Sequence, residues 1–273
     1  MIRSRHVVLL MSVLLLAGGC QTTAQHRNSS VVDYLYPQSR DVQVSVETPR
    51  LTLPLTVGVA FTPSGYRDAA GLTEAKKQEL LTRVSSHFEA LDFVEAIEII
   101  PSAYLRPQGS FENLDQLRRM FGIDVIALVS YDQTQFTDEG FASIAYWTIV
   151  GAYVVPGEKN ATHTLLDAVV YDIPSRKLLF RAPGTSSVQS SATLVNREEQ
   201  VREDAVAGFD DASAHLVDNL KAELEAFQAR IKDAPEEVQI ARREGYQGSG
   251  SGGPWLLIVA LLALGLLHRT RRG

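Results

Sequence analysis

A chain of 273 residues with 45% hydrophobic content has room for one or two domains and enough apolar side chains for a proper core. A formal charge of -6, with no basic stretch interleaved with aromatics, speaks against a nucleic-acid surface, and a lone cysteine excludes an internal disulfide.

The chain opens as a secretory signal. Arg3 and Arg5 supply a charged start, Val7 to Leu16 an apolar stretch, and Ala17-Gly18-Gly19 a small-residue cleavage zone. Residues 1–19 are therefore read as a signal peptide lying outside the fold. The only cysteine, Cys20, follows at once. Leu16-Ala-Gly-Gly-Cys20 resembles a bacterial lipobox, in which the cysteine thiol receives a diacylglyceryl group and becomes the first mature residue. The leucine of that pattern usually stands three residues before the cysteine; here Ala17 holds that place and Leu16 lies one further back. Gln21, in the position after the cysteine, resembles the pattern that Gram-negative lipoproteins carry to the outer membrane. An ordinary signal peptide with an incidental cysteine is the alternative.

Residues 20–45, rich in Gln, Thr, Asn, Ser and Arg, are expected to be a tether, with Val31 to Pro37 apolar enough to dock on a domain over 46–232. In that domain Thr56 to Phe61 reads as a buried strand ended by the turn residues Thr62 to Gly65. Thr73 is placed to cap a helix whose apolar residues Leu80, Leu81, Val84, Phe88 and Leu91 recur at helical spacing. Val94 to Ile100 is a second strand. Ser110 then caps a short helix through Leu114, Leu117 and Phe121, stopped by Gly122, and Ile123 to Tyr131 is a central strand. This βαβαβ alternation predicts parallel pairing with crossover helices.

The pattern then changes to an antiparallel meander: Phe141 to Val155, Thr162 to Asp172 and Lys177 to Phe180 read as strands. Phe141 to Val155 is apolar, but its polar residues and flanking glycines favour a strand over a membrane span. After Gly184 to Ser191, which reads as a flexible turn, a long helix runs from about Asn196 to Lys232. One apolar stripe follows it through Val201, Ala205, Phe209, Ala212, Leu216, Leu220, Leu224, Phe227 and Ile231. The stripe fits either a sheet or a coiled-coil partner, and Gly208 is a point where the helix could bend. Residues 233–253 are polar and linker-like.

The expected fold class is thus α/β: a single periplasmic-type domain, βαβα then a β-meander and a long C-terminal helix. Phe121-Gly-Ile-Asp-Val-Ile-Ala-Leu-Val129 and Val169-Val-Tyr-Asp-Ile-Pro-Ser-Arg-Lys-Leu-Leu179 resemble phrases in small α/β domains of envelope lipoproteins such as the curli secretion lipoprotein and the TolB amino-terminal domain.

The last segment, 254–273, has its own physics. Trp255 to Leu267 carries no polar side chain and spans roughly 20 Å as a helix, short for an ordinary membrane span. Gly248 to Gly253 precedes it as a flexible stretch, and Arg269, Arg271 and Arg272 follow it as a cytoplasmic plug. A Gly252-Gly253 pair, a short apolar helix and a terminal arginine cluster resemble the GlyGly-CTERM sorting signal, which implies cleavage by rhombosortase, a rhomboid-type intramembrane protease. The alternative is a plain C-terminal anchor. Losing two arginines with the signal peptide and three with the tail would take the formal charge from -6 to -11.

The layout as a whole, lipobox-like start, α/β body and GlyGly-type tail, resembles the rhombotarget lipoproteins. That resemblance implies a lipid on Cys20, lipoprotein maturation enzymes and a rhombosortase as processing partners, and an exported, lipid-anchored protein of the bacterial envelope, at the outer membrane or cell surface. It brings no catalytic role.

The body offers no catalytic pattern of its own. There is no G-x-S-x-G elbow, Ser186 and Ser187 read as turn serines, and His87, His163 and His215 are isolated with no metal spacing. Asp124, Asp167 and Asp172 read as turn carboxylates, and the pairs Asp210-Asp211 and Glu236-Glu237 point apart on a helix. No cofactor or metal is implied. The expectation is a non-enzymatic lipoprotein with an interaction domain of unknown envelope partner; an envelope hydrolase, or a subunit acting through the long helix, are the alternatives.

Overall fold

The computed structural model describes residues 22–37, 47–63, 73–139, 158–193 and 195–246. In chain order these form β1 (Thr22–Asn28), α1 (Val31–Leu35), β2 (Arg50–Leu53), β3 (Leu55–Phe61), α2 (Glu74–Ser86), β4 (Val94–Ile99), α3 (Ser110–Phe121), β5 (Val125–Glu139), β6 (Glu158–Asp172), β7 (Lys177–Ala192), α4 (Arg197–Asp233) and β8 (Gln239–Arg242). The α/β class and the βαβα order are as the sequence pattern requires. The strand expected over Phe141 to Val155 lies outside the described residues.

The main sheet is six-stranded, in the order β4-β3-β5-β6-β7, with β1 also paired to β5. β3 is parallel to β4 and β5, as crossovers through α2 and α3 demand, while β5, β6 and β7 form an antiparallel meander. One edge of β5 is shared. β3 pairs with Val125 to Val129, and β1 runs antiparallel along Asp132 to Asp138. Ser29 and Thr62 seal the joint: Ser29 Oγ accepts from Tyr131 N at 3.0 Å and from Thr62 Oγ1 at 3.0 Å, and Ser29 N donates to Tyr131 O at 2.7 Å.

Part of the segment that composition marks as a tether is thus built into the sheet. α1 also docks, with Val31, Tyr34 and Leu35 all buried. A second difference lies in the polar stretch after the long helix: β8 pairs in parallel with β2, and Val238 is buried beside Leu51. Gly184 to Ser191 is a third difference. It belongs to β7, fully paired with β6, and its glycine marks a close approach. A Cβ on Gly184 would lie 2.1 Å from Ala212 O and 2.6 Å from Leu216 N, both backbone atoms of α4.

Two layers of helix cover the sheet. On one face, α1 and α3 bury Tyr34, Leu35, Phe111, Leu114 and Leu117 against Ile126, Leu128 and Tyr171. Alternation along β5 sends Val125, Val129 and Tyr131 to the other face, under α2 and α4. The stripe of α4 is occupied by the sheet, which accounts for it without a coiled-coil partner. Gly208 leaves the helix unbroken and lies against Thr164, whose Oγ1 would be 2.7 Å from an added Cβ. α4 also covers the outer edge of β7: Asn219 Nδ2 donates to Pro183 O at 2.6 Å, His215 Nδ1 lies 2.8 Å from Thr185 O, and Arg230 Nη2 donates to Leu179 O at 2.6 Å. Those contacts close an edge that would otherwise invite pairing.

Local signals explain the helix ends. Thr73 Oγ1 caps α2 by accepting from Lys76 N, and Gly122 ends α3 at φ 66°, where a side chain would be strained. Ser110 differs from expectation. It is the first residue of α3, with Gly109 in the cap position and Ser110 Oγ accepting from Glu112 N. Buried Asn113 joins the helical layer together: its Oδ1 accepts from Tyr34 Oη at 3.0 Å and Arg106 N at 2.8 Å.

This packing can be tested at two glycines and one tyrosine. Gly184→Ala forces α4 off β7 and is expected to cost about 2–3 kcal/mol, or several degrees in Tm for a chain of this size. Gly208→Ala brings a Cβ to 2.7 Å from Thr164 Oγ1, which accepts from buried Gln133, so the forced shift outweighs the helix-propensity gain of about 1 kcal/mol and a net loss of about 1 kcal/mol, smaller than that of Gly184→Ala, is expected. Thermal unfolding of the full-length variants checks this, and equal losses would refute the contact reading. The tyrosine concerns alkali. Burial, then the neighbouring Tyr36 and Asp167, pushes the Tyr171 hydroxyl up to about 12 from 10.0. The fold retains a proton that the unfolded chain releases, so this contribution is whole below pH 10 and is lost as pH rises towards about 12. Urea midpoints at about pH 9 and about pH 11 should fall less steeply for Tyr171→Phe than for the parent.

Candidate functional site

The residues that carry the terminal signals, Cys20, Gly252, Gly253, Arg269, Arg271 and Arg272, lie outside the described residues. So does the glycine-serine stretch before Gly252. Among the described residues no helix is long and apolar enough to cross a membrane, and no three His, Cys, Asp or Glu side chains gather as a metal site.

The carboxylates singled out in the sequence are occupied structurally. Asp124 Oδ2 accepts from Thr56 N at 2.9 Å and lies 3.5 Å from Arg243 Nη2, which ties the starts of β3 and β5 to the chain after β8. Arg243 also pairs with Glu95. Asp167 accepts from Arg181 Nε at 2.7 Å across the β6–β7 ladder. Buried Asp172 accepts from Ser175 N at 3.0 Å and so shapes the hairpin turn. Asp211 and Glu236 are exposed, and Glu237 faces Arg230 at 3.7 Å.

Ser186 and Ser187 sit on β7 rather than in a turn. Ser186 is buried under α4, and Ser187 is on the opposite, open face, where it is the cross-strand partner of His163. The structure thus brings a serine and a histidine side by side. His163 packs edge-on to Phe136, with ring centroids 6.1 Å apart, and both side chains are exposed. His26 on the same face is bonded to Asp132 at 2.9 Å, and His87 Nδ1 lies 2.7 Å from Arg83 O at the end of α2.

What the sequence did not single out is a cavity of about 670 Å³ on the α2/α4 face of the sheet. Its origin is geometric. α2 lies over β3 and β4, and α4 mainly over β6 and β7, so the stretch of β5 between them is only partly covered by helix. Val125, Ala127 and Val129 form its floor. The ribbon of β2 and β8 closes one end with Leu51, Leu53, Ile240 and Arg242, which alternation places on a common face. The exposed residues Gln228, Lys232 and Arg242 mark where it opens to solvent.

One polar group stands out in its wall. Ser85, on the apolar face of α2, is 1% exposed and its Oγ has no hydrogen-bond partner among the described residues. A serine inside a helix ordinarily bonds back to the carbonyl four residues earlier. The sequence held no clear signal for it, since a small residue next to Leu81 and Val84 reads as packing. A cavity of this size lies within the range of small-molecule sites, roughly 300–1,000 Å³, and its apolar lining with sparse polar groups suits an apolar ligand.

No protein-family model and no curated protein sequence matches the chain. Among solved structures, it is similar to a dodecamer of a PelC point variant from Paraburkholderia phytofirmans at 13% identity, over 72% of this chain and 96% of that one, with a TM-score of 0.31. It is also similar to a putative neuraminyllactose-binding hemagglutinin homolog from Helicobacter pylori at 11% identity, over 69% and 95% of the two chains, with a TM-score of 0.38. At such TM-scores neither likeness bears on what this chain does.

The unpartnered Ser85 hydroxyl makes a stability prediction. Removing it in Ser85→Ala relieves a buried donor and improves helix propensity, so the full-length variant is expected to gain about 1 kcal/mol, or about 2–4 °C in Tm. A loss of stability on thermal unfolding would mean that the hydroxyl is satisfied after all.

Proposed function

We propose that this chain is an exported, lipid-anchored protein of the bacterial envelope whose α/β body is a non-enzymatic binding domain and whose C-terminal tail is a sorting signal cut near Gly252-Gly253. The observation that supports the reading is where the folded body lies. β1 begins at Thr22, two residues after Cys20, and the described body continues to Tyr246, just ahead of the glycine-serine stretch. Both signals therefore flank, along the sequence, the segment that the described domain spans.

The chemistry of the body fits binding better than catalysis. Its carboxylates brace turns and strands, its Ser187 and His163 are exposed, and the cavity between α2 and α4 is apolar with no titratable group on its floor. In this reading the lipid on Cys20 holds the protein at a membrane, with lipoprotein maturation enzymes and a rhombosortase-type protease as its processing partners. A permanent second anchor at the C-terminus is then redundant.

Intact mass and membrane fractionation of the native protein, of Cys20→Ser and of Gly252→Ala/Gly253→Ala test this together. The native protein is expected to start at Cys20 with a diacylglyceryl mass and to end near Gly253. Cys20→Ser should lose the lipid, and the double glycine variant should keep residues 254–273. Processing that is the same in all three would end the proposal.

A further inference from the structure

The cavity between α2 and α4 has two features that a packing fault would lack: a polar atom left open in its wall and unpaired cations at its mouth. Ser85 Oγ has no partner among the described residues although the residue is only 1% exposed. Leaving such a group unsatisfied costs about 1–3 kcal/mol, which an oxygen on a bound molecule would recover. At the opening, Lys232 and Arg242 have no ion-pair partner among the described residues; Arg243, by contrast, is held by Glu95 and Asp124. Asp92 also borders the opening, so the mouth carries two positive charges against one negative.

Charge and distance decide between possible occupants. The chain's own apolar run, Trp255 to Leu267, is followed by Arg269, Arg271 and Arg272, which the like charges of Lys232 and Arg242 would repel from the mouth. A lipid on Cys20 fails on distance. Thr22 pairs with Asp138, and about nine residues of β5 at about 3.3 Å each put the cavity floor at Val129 roughly 30 Å away. A single acyl chain reaches roughly 15 Å, half of a ~30 Å bilayer core.

We infer that this cavity binds a single-chain acyl lipid with an anionic head, its hydrocarbon chain lying over Val125 to Val129 and its head at Lys232 and Arg242. The inference rests on reading the body as a binding domain.

The test uses the full-length chain in membranes of the cells that make it, with three photoreactive C16 probes: a fatty acid, the matching alcohol and a matching quaternary ammonium. Cross-linked peptides are mapped by mass spectrometry, and Cys20→Ser serves as the background so that covalent acylation is not mistaken for binding. The acid is expected to label peptides carrying Phe88 or Phe227, and the ammonium probe to label them at least about tenfold less, in line with charge discrimination of about 1.4 kcal/mol or more. Leu224→Trp, which narrows the space, should cut labelling several-fold. Lys232→Glu/Arg242→Glu should cut labelling by the acid about five- to tenfold and leave the alcohol unchanged.

Equal labelling by all three probes, or full labelling of a folded Leu224→Trp chain, overturns the inference. Should Leu224→Trp not fold, Lys232→Glu/Arg242→Glu decides: acid labelling that is unchanged in that variant overturns the inference. Cross-links from residues 254–267 into the cavity would also overturn it, since they would make the tail the occupant. A change in the mass of the recovered probe would instead end the non-enzymatic reading while leaving occupancy of the cavity in place.

Discussion

Everything in this fold depends on satisfying one edge of β5. A fifteen-residue strand in the middle of a sheet presents backbone donors and acceptors on both sides, and leaving them without partners in a covered layer is costly. β6 answers one side along the whole length. The other side needs two strands placed end to end, because β3 stops at Phe61. β1 supplies the missing half, and the Ser29–Thr62 joint lets the two strands abut without leaving Tyr131 N unbonded.

That division of β5 also divides the character of the layer beneath α4. Over the half shared with β3 the contact is apolar: Phe209, Leu216 and Leu220 meet Val129, Leu166 and Ala182. Over the half shared with β1 it is polar. Gln133 Nε2 donates to Ala205 O at 3.1 Å and to Thr164 Oγ1 at 2.9 Å, and Gln135 Nε2 to Val201 O at 2.8 Å. Buried Asp204 accepts from Ser190 Oγ at 2.5 Å and Gln200 Nε2 at 3.0 Å. Polar contacts of this kind fix orientation more than they add stability. One helix is therefore held by adhesion at one end and by register at the other.

How much of this could be read from the chain depends on which force shapes each part. Apolar periodicity announced α2, α3, α4 and the strands of the parallel half, because those elements exist to bury one face. Elements held by backbone pairing rather than burial gave no such signal. Thr22 to Asn28 is polar in composition, yet it is a strand because β5 needs a partner there. Gly184 and the serines after it look like a flexible turn; the glycine is present so that α4 can touch the strand, and the serines alternate between a covered and an open face. The cavity was hidden for a different reason. Its lining comes from separate segments, each an ordinary set of core residues, and only the spacing of α2 and α4 over a wider sheet makes a space between them. The patterns at Cys20 and at Gly252-Gly253 fall outside the described residues and are legible only as sequence.

The pairing of β1 also bears on the order of events during folding. Ser29 and Tyr131, which bond at the joint, are 102 residues apart along the chain. The strand nearest the N-terminus therefore has nowhere to go until β5 has been delivered, and closing so long a loop comes late relative to local steps such as the turns of α2. Residues 22 to 28 thus have no partner strand until β5 has formed. Once β5 is in place, the backbone donors and acceptors of both strands are satisfied in the same step.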